Sequence, residues 1–238
     1  MILALKLCGS KRLPLLLLCA ALIVSLGIMF ARSRAAETMG NAGQKYTLVI
    51  DPGHGGIDGG AAGVDGSRES DINLAVALKL RAVAELYGQD NLMLRQEDVS
   101  LSPAGAYSEH EDLVTRAELV NAAVNPVLIS VHQNCFPTGQ PSGAQVIYSS
   151  GDGSEALGKL MHANLIGALD SSNRRVAEPA SKKLFLLSHV SCPAILVECG
   201  FMSNFSDINK LNDSEYQSSL AAVMFASFLQ FQFELYHT

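Results

Sequence analysis

Tyr46-Thr47-Leu48-Val49-Ile50 runs straight into Asp51-Pro52-Gly53-His54. A compact apolar run followed by turn residues predicts a strand that stops sharply. The pattern recurs downstream, where Val127–Val131 leads into His132 and Ala194–Val197 leads into Glu198. Asn91–Leu94, Ala144–Tyr148 and Leu184–Leu187 are further strand-like runs. Helical spacing links Ile72, Val76, Leu80, Val83 and Tyr87, with Ser70 or Asp71 available as a cap. It also links Leu113, Ala117, Val120 and Val124, then Leu157, Leu160, Met161, Leu165 and Ala168. Leu220, Met224, Phe228 and Phe231 mark a closing helix. Strands alternating with helices predict a single α/β domain: a mixed, mainly parallel sheet of about five or six strands, covered by helices on both faces. The polar stretch Gln96–Asp112, with Pro103 and Gly105, reads as a long surface loop of the kind that serves as a lid or binding loop.

Upstream of the first strand lies a different kind of sequence. Leu13 to Ala31 is nearly all apolar and follows Lys6, Lys11 and Arg12. A basic flank before an apolar core is the pattern of a secretory signal or a membrane anchor. The core is long for a signal and near the lower limit for a spanning helix, while Ser33-Arg34-Ala35 offers a small-x-small cleavage site. Both readings stand. The expected organisation is therefore a leader at 1–36, a polar linker at 37–44 and a folded domain at 45–235. Such a protein is exported and works outside the cytoplasm, touching the membrane if the leader stays. Residues 1–36 carry five of the 17 Lys and Arg and none of the 23 Asp and Glu, so the remainder holds 12 against 23, a net charge of −11. No basic footprint for nucleic acid is present in so acidic a domain. Cys135, Cys192 and Cys199 are too few for a disulfide framework and lack C-x-x-C spacing. They read as small packed residues, with a Cys192–Cys199 pair left to strand geometry.

The chemistry sits where the strands stop. In an open α/β sheet, ligands bind at the carboxyl ends of the strands, so parallel strands bring His54, His132 and Glu198 to one rim. Charged groups at the ends of apolar strands are costly there without a role. Glu69 adds a carboxylate beside the start of a helix, after Gly59-Gly60 and Gly63. Two imidazoles and two carboxylates suit zinc hydrolysis, with three ligands on the metal and the fourth group moving protons. Taken singly each position is weak, since a lone histidine after a strand is more often a hydrogen-bonded core or surface residue. Gly53-His54-Gly55-Gly56 lacks both Gly-Lys-Ser/Thr and G-x-G-x-x-G, which sets nucleotide binding aside. Its glycines let the backbone come close to a ligand and orient His54. His110 and His162 read as solvated, and His189 as structural.

Four ordered motifs carry a resemblance. Val49 to Gly56, with Asp58, Gly59 and Gly60, resembles the opening motif of the zinc-dependent N-acetylmuramoyl-L-alanine amidases of the cell-wall lytic family. Arg68-Glu69 with Asn73-Leu74, then Ser130-Val131-His132-Gln133-Asn134, then Pro193 to Asn204 match the later motifs, and Arg116 and Asn121 fit the intervening helix. The likeness spans residues 46–233. It implies one zinc ion on His54, Glu69 and His132, with Glu198 as the catalytic carboxylate. It also implies the reaction, hydrolysis by zinc-activated water of the amide joining the lactyl group of N-acetylmuramic acid to L-alanine in peptidoglycan. Asp51 and Asn134 are candidates to fix the ligand imidazoles, equally readable as turn-capping residues, and Arg116 is a third candidate beside the site. The segment with Leu101-Ser102-Pro103, Gly105, Tyr107 and Ser108 is similar to amidases that modify spore cortex. Cys199 after Glu198 departs from the usual aliphatic residue, and Cys135 near His132 is a second departure; packing explains either thiol more simply than zinc ligation. A zinc peptidase or deacetylase acting on another wall amide would share every ligand, and a non-catalytic wall-binding regulator would not need all four groups. No activating protein is named by the sequence.

Overall fold

The first apolar run forms β1 (Thr47–Pro52), with Leu48, Val49 and Ile50 fully buried. The computed structural model describes residues 46–103 and 106–235; the expected leader and linker, Gly105 and His237 lie outside them. After β1 come α1 (Glu69–Leu86), β2 (Asn91–Met93), α2 (Glu109–Ala122), β3 (Pro126–Asn134), β4 (Gln145–Tyr148) and α3 (Ser154–Leu169). The chain continues through β5 (Glu178–Pro179), α4 (Phe185–His189), β6 (Ala194–Phe201), α5 (Phe205–Leu211) and α6 (Ser214–Leu235). The six strands form one sheet in the order β2-β1-β3-β6-β4-β5. Only the β4–β6 pairing is antiparallel. This is the mixed, mainly parallel α/β sheet that the alternation of runs predicts.

Strand periodicity divides the core in two. Leu48, Ile50, Ile129, Val131, Ile195 and Val197 face one side and pack with residues of α1, α3 and α6. Val49, Leu128, Ala194 and Leu196 face the other, against Ala117 and Val120 of α2 and Leu186 and Leu187 of α4. Helices therefore cover both faces. From β1 the chain crosses to β2 on one side and later to β3 on the other. The β1–β3 boundary is thus a topological switch point, the place where α/β sheets open a crevice at their carboxyl ends.

Several local expectations need correction. Leu184–Leu187 is not a strand: the apolar run turns into α4 and buries Leu186 and Leu187 across the sheet face, in the second core, rather than in the plane of the sheet. A short apolar run does not distinguish these outcomes by periodicity. The polar loop ends sooner than expected, since α2 starts at Glu109 with Ser108 as its cap, the hydroxyl accepting from Glu111 N–H at 3.3 Å. For α1 neither Ser70 nor Asp71 caps: both lie inside its first turn, and the extended Arg68 precedes it with no side-chain cap. Cys192 and Cys199 are free thiols, as is the exposed Cys135. His162 is buried rather than solvated, its Nε2 2.8 Å from the Arg175 carbonyl. Among the described residues no helix is long and apolar enough to cross a membrane.

Candidate active site

The switch point gathers the sequence-predicted residues. His54 follows β1, His132 lies on β3, and Glu198 on β6 stands directly opposite His132 in the parallel register. Both strands run on past these residues, with a register shift between His132 and Asn134. Glu69, at the start of α1, reaches under the rim. Its Oε1 is 3.0 Å from His132 Nδ1 and 3.3 Å from His54 Nε2. Ala61 N–H donates to its Oε2 at 2.9 Å and Gln133 N–H to its Oε1 at 3.1 Å. Ligand atoms of His54, Glu69 and His132 all lie within 4.8 Å of one another. Two imidazoles and one buried carboxylate converging in this way fit a zinc ion with a coordination position to spare.

Backbone geometry explains the glycine-rich approach. A Cβ on Gly53 would come within 2.2 Å of the His132 ring, so only glycine lets the β1 turn pass so close. Next to it His54 adopts φ of +60°, a left-handed conformation costly for a side-chain-bearing residue. Two buried arginines hold this strained turn. Arg116 donates to the carbonyls of Pro52 at 2.9 Å and His54 at 2.7 Å, while pairing with Asp51 and Asp112. Arg95 Nε donates to Pro52 O at 2.9 Å, and its Nη2 donates to both Gly53 O at 2.9 Å and Ser70 O at 3.0 Å. One guanidinium thus joins the residue before His54 to the residue after Glu69.

The imidazole partner is Asp58, whose Oδ2 lies 2.7 Å from His54 Nδ1; Tyr107 in turn hydrogen-bonds Asp58. Asp51 makes no hydrogen bond to either imidazole. It binds Arg116 and accepts from Ser130 Oγ at 2.6 Å, so it supports the turn through the arginine. Nor does Asn134 fix a ligand: its carbonyl accepts from Met202 N–H at 2.7 Å and its side chain makes no hydrogen bond in the site. Cys199 faces the first core, where burial pushes its thiol up to about 12. Cys135 lies outside the converging cluster. His110 is on α2, edge-on to Phe185, and His189 stacks on the same ring at 3.8 Å.

Electrostatics separate the groups. Burial opposes the charged form of His54, but hydrogen bonds and charge from Glu69 and Asp58 outweigh it and raise the imidazole to about 9. Glu69 is held well below the usual carboxylate range: burial works against this, and the two imidazoles prevail. Glu198 goes the other way. Burial pushes it up to about 7 against the pull of His132, with the charge of Glu69 adding to the rise. Its Oε2 is sealed from solvent with no hydrogen-bond partner. A cavity of about 270 Å³ opens onto His54, His132 and Glu198, walled by Tyr107 from the polar loop and Leu184 and Phe185 from the α4 region.

A carboxylate–imidazole cluster facing a cavity on the carboxyl rim of an α/β sheet defines the class, a hydrolase. The chain belongs to the N-acetylmuramoyl-L-alanine amidase family, whose model matches residues 48–228, and it is a peptidoglycan amidase. It is 33% identical over 189 residues to the germination-specific N-acetylmuramoyl-L-alanine amidase of Bacillus subtilis, covering 77% of this chain and 78% of that one. The sporulation-specific amidase of the same organism is 31% identical over 176 residues, 73% of this chain and 63% of that one. Among solved structures, the CwlD amidase of Clostridioides difficile, in complex with the GerS lipoprotein, superposes with a TM-score of 0.72 at 32% identity. That match covers 78% of this chain and 98% of the other.

Proposed function

We propose that the chain cleaves the muramoyl–L-alanine amide with a single zinc ion held by His54, Glu69 and His132, and with Glu198 carrying the proton. The observation that supports this most is the convergence of three ligand groups beside an unpartnered carboxylate oxygen. The chemistry that a bound zinc supplies is Lewis acidity toward the scissile carbonyl and toward water. Everything else falls to side chains. Asp58 fixes the His54 ring so that Nε2 faces Glu69. Glu198, raised to about 7 by burial, takes a proton from the attacking water near neutral pH and delivers it to the departing alanine nitrogen. Leu184, Phe185 and Leu196 line the same cavity and keep it apolar around the reacting amide.

The expected leader at 1–36 and linker at 37–44, ahead of a catalytic domain at 45–235, support an extracytoplasmic enzyme acting on the wall, as a membrane-held or a released protein. Relatives named for germination and sporulation support a role on spore peptidoglycan. The lipoprotein complex of the C. difficile relative supports an extracytoplasmic partner of that kind. Product analysis tests the proposal. Full-length protein given intact peptidoglycan releases whole stem peptides, loses this activity to a chelator and regains it with zinc. Indifference to the chelator overturns the zinc assignment.

A further inference from the structure

Lys183 lines the catalytic cavity just ahead of α4. Among the described residues its ammonium has no ion pair or hydrogen bond, and the residue is exposed. The other cationic side chain of the lining, Arg116, is engaged with Asp51 and Asp112. Facing them are Asp58, Glu109 and Glu198, in a chain that carries −11 beyond residue 36. Away from the metal centre, an anionic group approaching these carboxylates is repelled unless a cation meets it.

The substrate is anionic. A stem peptide whose second residue is joined onward through its side-chain carboxyl, and is left unamidated, carries a free α-carboxylate one residue beyond the scissile amide. Lys183 and Glu198 line the same cavity, and among the described residues Lys183 is the cation of that lining without a partner to meet such a carboxylate. Lysine suits the task, being a compact charge on a long flexible stem. We infer that Lys183 binds the free carboxylate of the stem peptide and gives the enzyme a preference for unamidated over amidated stems. This rests on the amidase reading.

The test uses full-length protein and two muramoyl-peptides that differ only in bearing a carboxylate or a carboxamide at the second residue. Wild type favours the acid in kcat/KM. K183A shrinks the acid-to-amide ratio about fivefold, mainly through KM, as expected for a solvent-accessible ion pair. K183R restores the ratio, K183E lowers it further, and added salt compresses it in the wild type. A wild type without preference, or a ratio that K183A leaves unmoved, overturns the inference. Loss of α4 packing alone would lower both substrates together and leave the ratio intact. Failure of the wild type to release a stem peptide from either substrate overturns the amidase reading instead.

Discussion

Asp58 Oδ2 lies 2.7 Å from His54 Nδ1, and this single contact decides which nitrogen of the ring faces Glu69. A carboxylate behind a ligand imidazole fixes its tautomer and raises its basicity. Asp58→Asn keeps the size but not the charge. The expected outcome is a loss of zinc affinity of about 10- to 100-fold with the fold intact. Competition with a chromophoric chelator measures it, with far-UV circular dichroism as the check on folding. Wild-type affinity in the variant would remove Asp58 from the centre.

The same pair sets a proton balance. The His54 imidazole has an ordinary value of 6.5 and is raised to about 9 in the metal-free fold by Glu69 and Asp58, against the effect of burial. Between those values the folded, metal-free protein holds a proton that zinc must displace. Binding at pH 7.5 is expected to release about one proton from His54, and affinity to rise about tenfold per pH unit until pH reaches about 9. Calorimetry in buffers of different ionisation enthalpy counts the proton. Identical heats in all buffers would exclude the displacement.

Arg95 holds the segments that bear His54 and Glu69 together by donating to Pro52, Gly53 and Ser70 carbonyls. Arg95→Met takes away the donor that these carbonyls share; Pro52 O keeps Arg116 and Gly53 O keeps Asn73, so the expected cost is about 1–3 kcal/mol of stability. Urea unfolding of the chelated protein reads that loss. Because His54 and Glu69 are then free to drift apart, zinc affinity falls as well. Arg95→Lys keeps the charge without the planar fork and is expected to recover part of the stability but little of the affinity. Full zinc affinity in a folded Arg95→Met protein would confine the arginine to a structural role.

How much of this was legible depended on how local each signal was. His54, His132 and Glu198 each follow an apolar run, and parallel pairing of β1, β3 and β6 does bring them to one rim. Glu69 was legible only through family motifs, since a carboxylate at a helix start is ordinary; its approach to both imidazoles depends on how α1 packs against the sheet. Asp51 was legible as a supporting residue but its partner was not, because Arg116 lies 65 residues away. Arg95 gave no signal at all: it acts on main-chain carbonyls, which every residue has. Leu184–Leu187 misled because four apolar residues pack equally well as a strand or as a turn of helix, and here they cover the sheet face beside Ala117 and Val120 of α2.

Glu198 offers the sharpest experiment. It stands opposite His132 with one oxygen sealed and unpartnered, and burial raises its carboxyl to about 7. Glu198→Gln preserves shape and hydrogen-bonding reach while removing the ability to accept a proton. None of His54, Glu69 or His132 depends on it for a hydrogen bond, so the variant is expected to fold and to bind zinc as the wild type does. Turnover on purified peptidoglycan is expected to fall about 10²- to 10⁴-fold, the usual worth of a positioned acid–base group. Since the defect lies in proton transfer and not in substrate binding, it appears in kcat with KM little changed. Glu198→Asp, which keeps the carboxylate but draws it back by one methylene, is expected to fall between the two. A Glu198→Gln protein with near-wild-type turnover and full zinc content would mean that another group moves the proton.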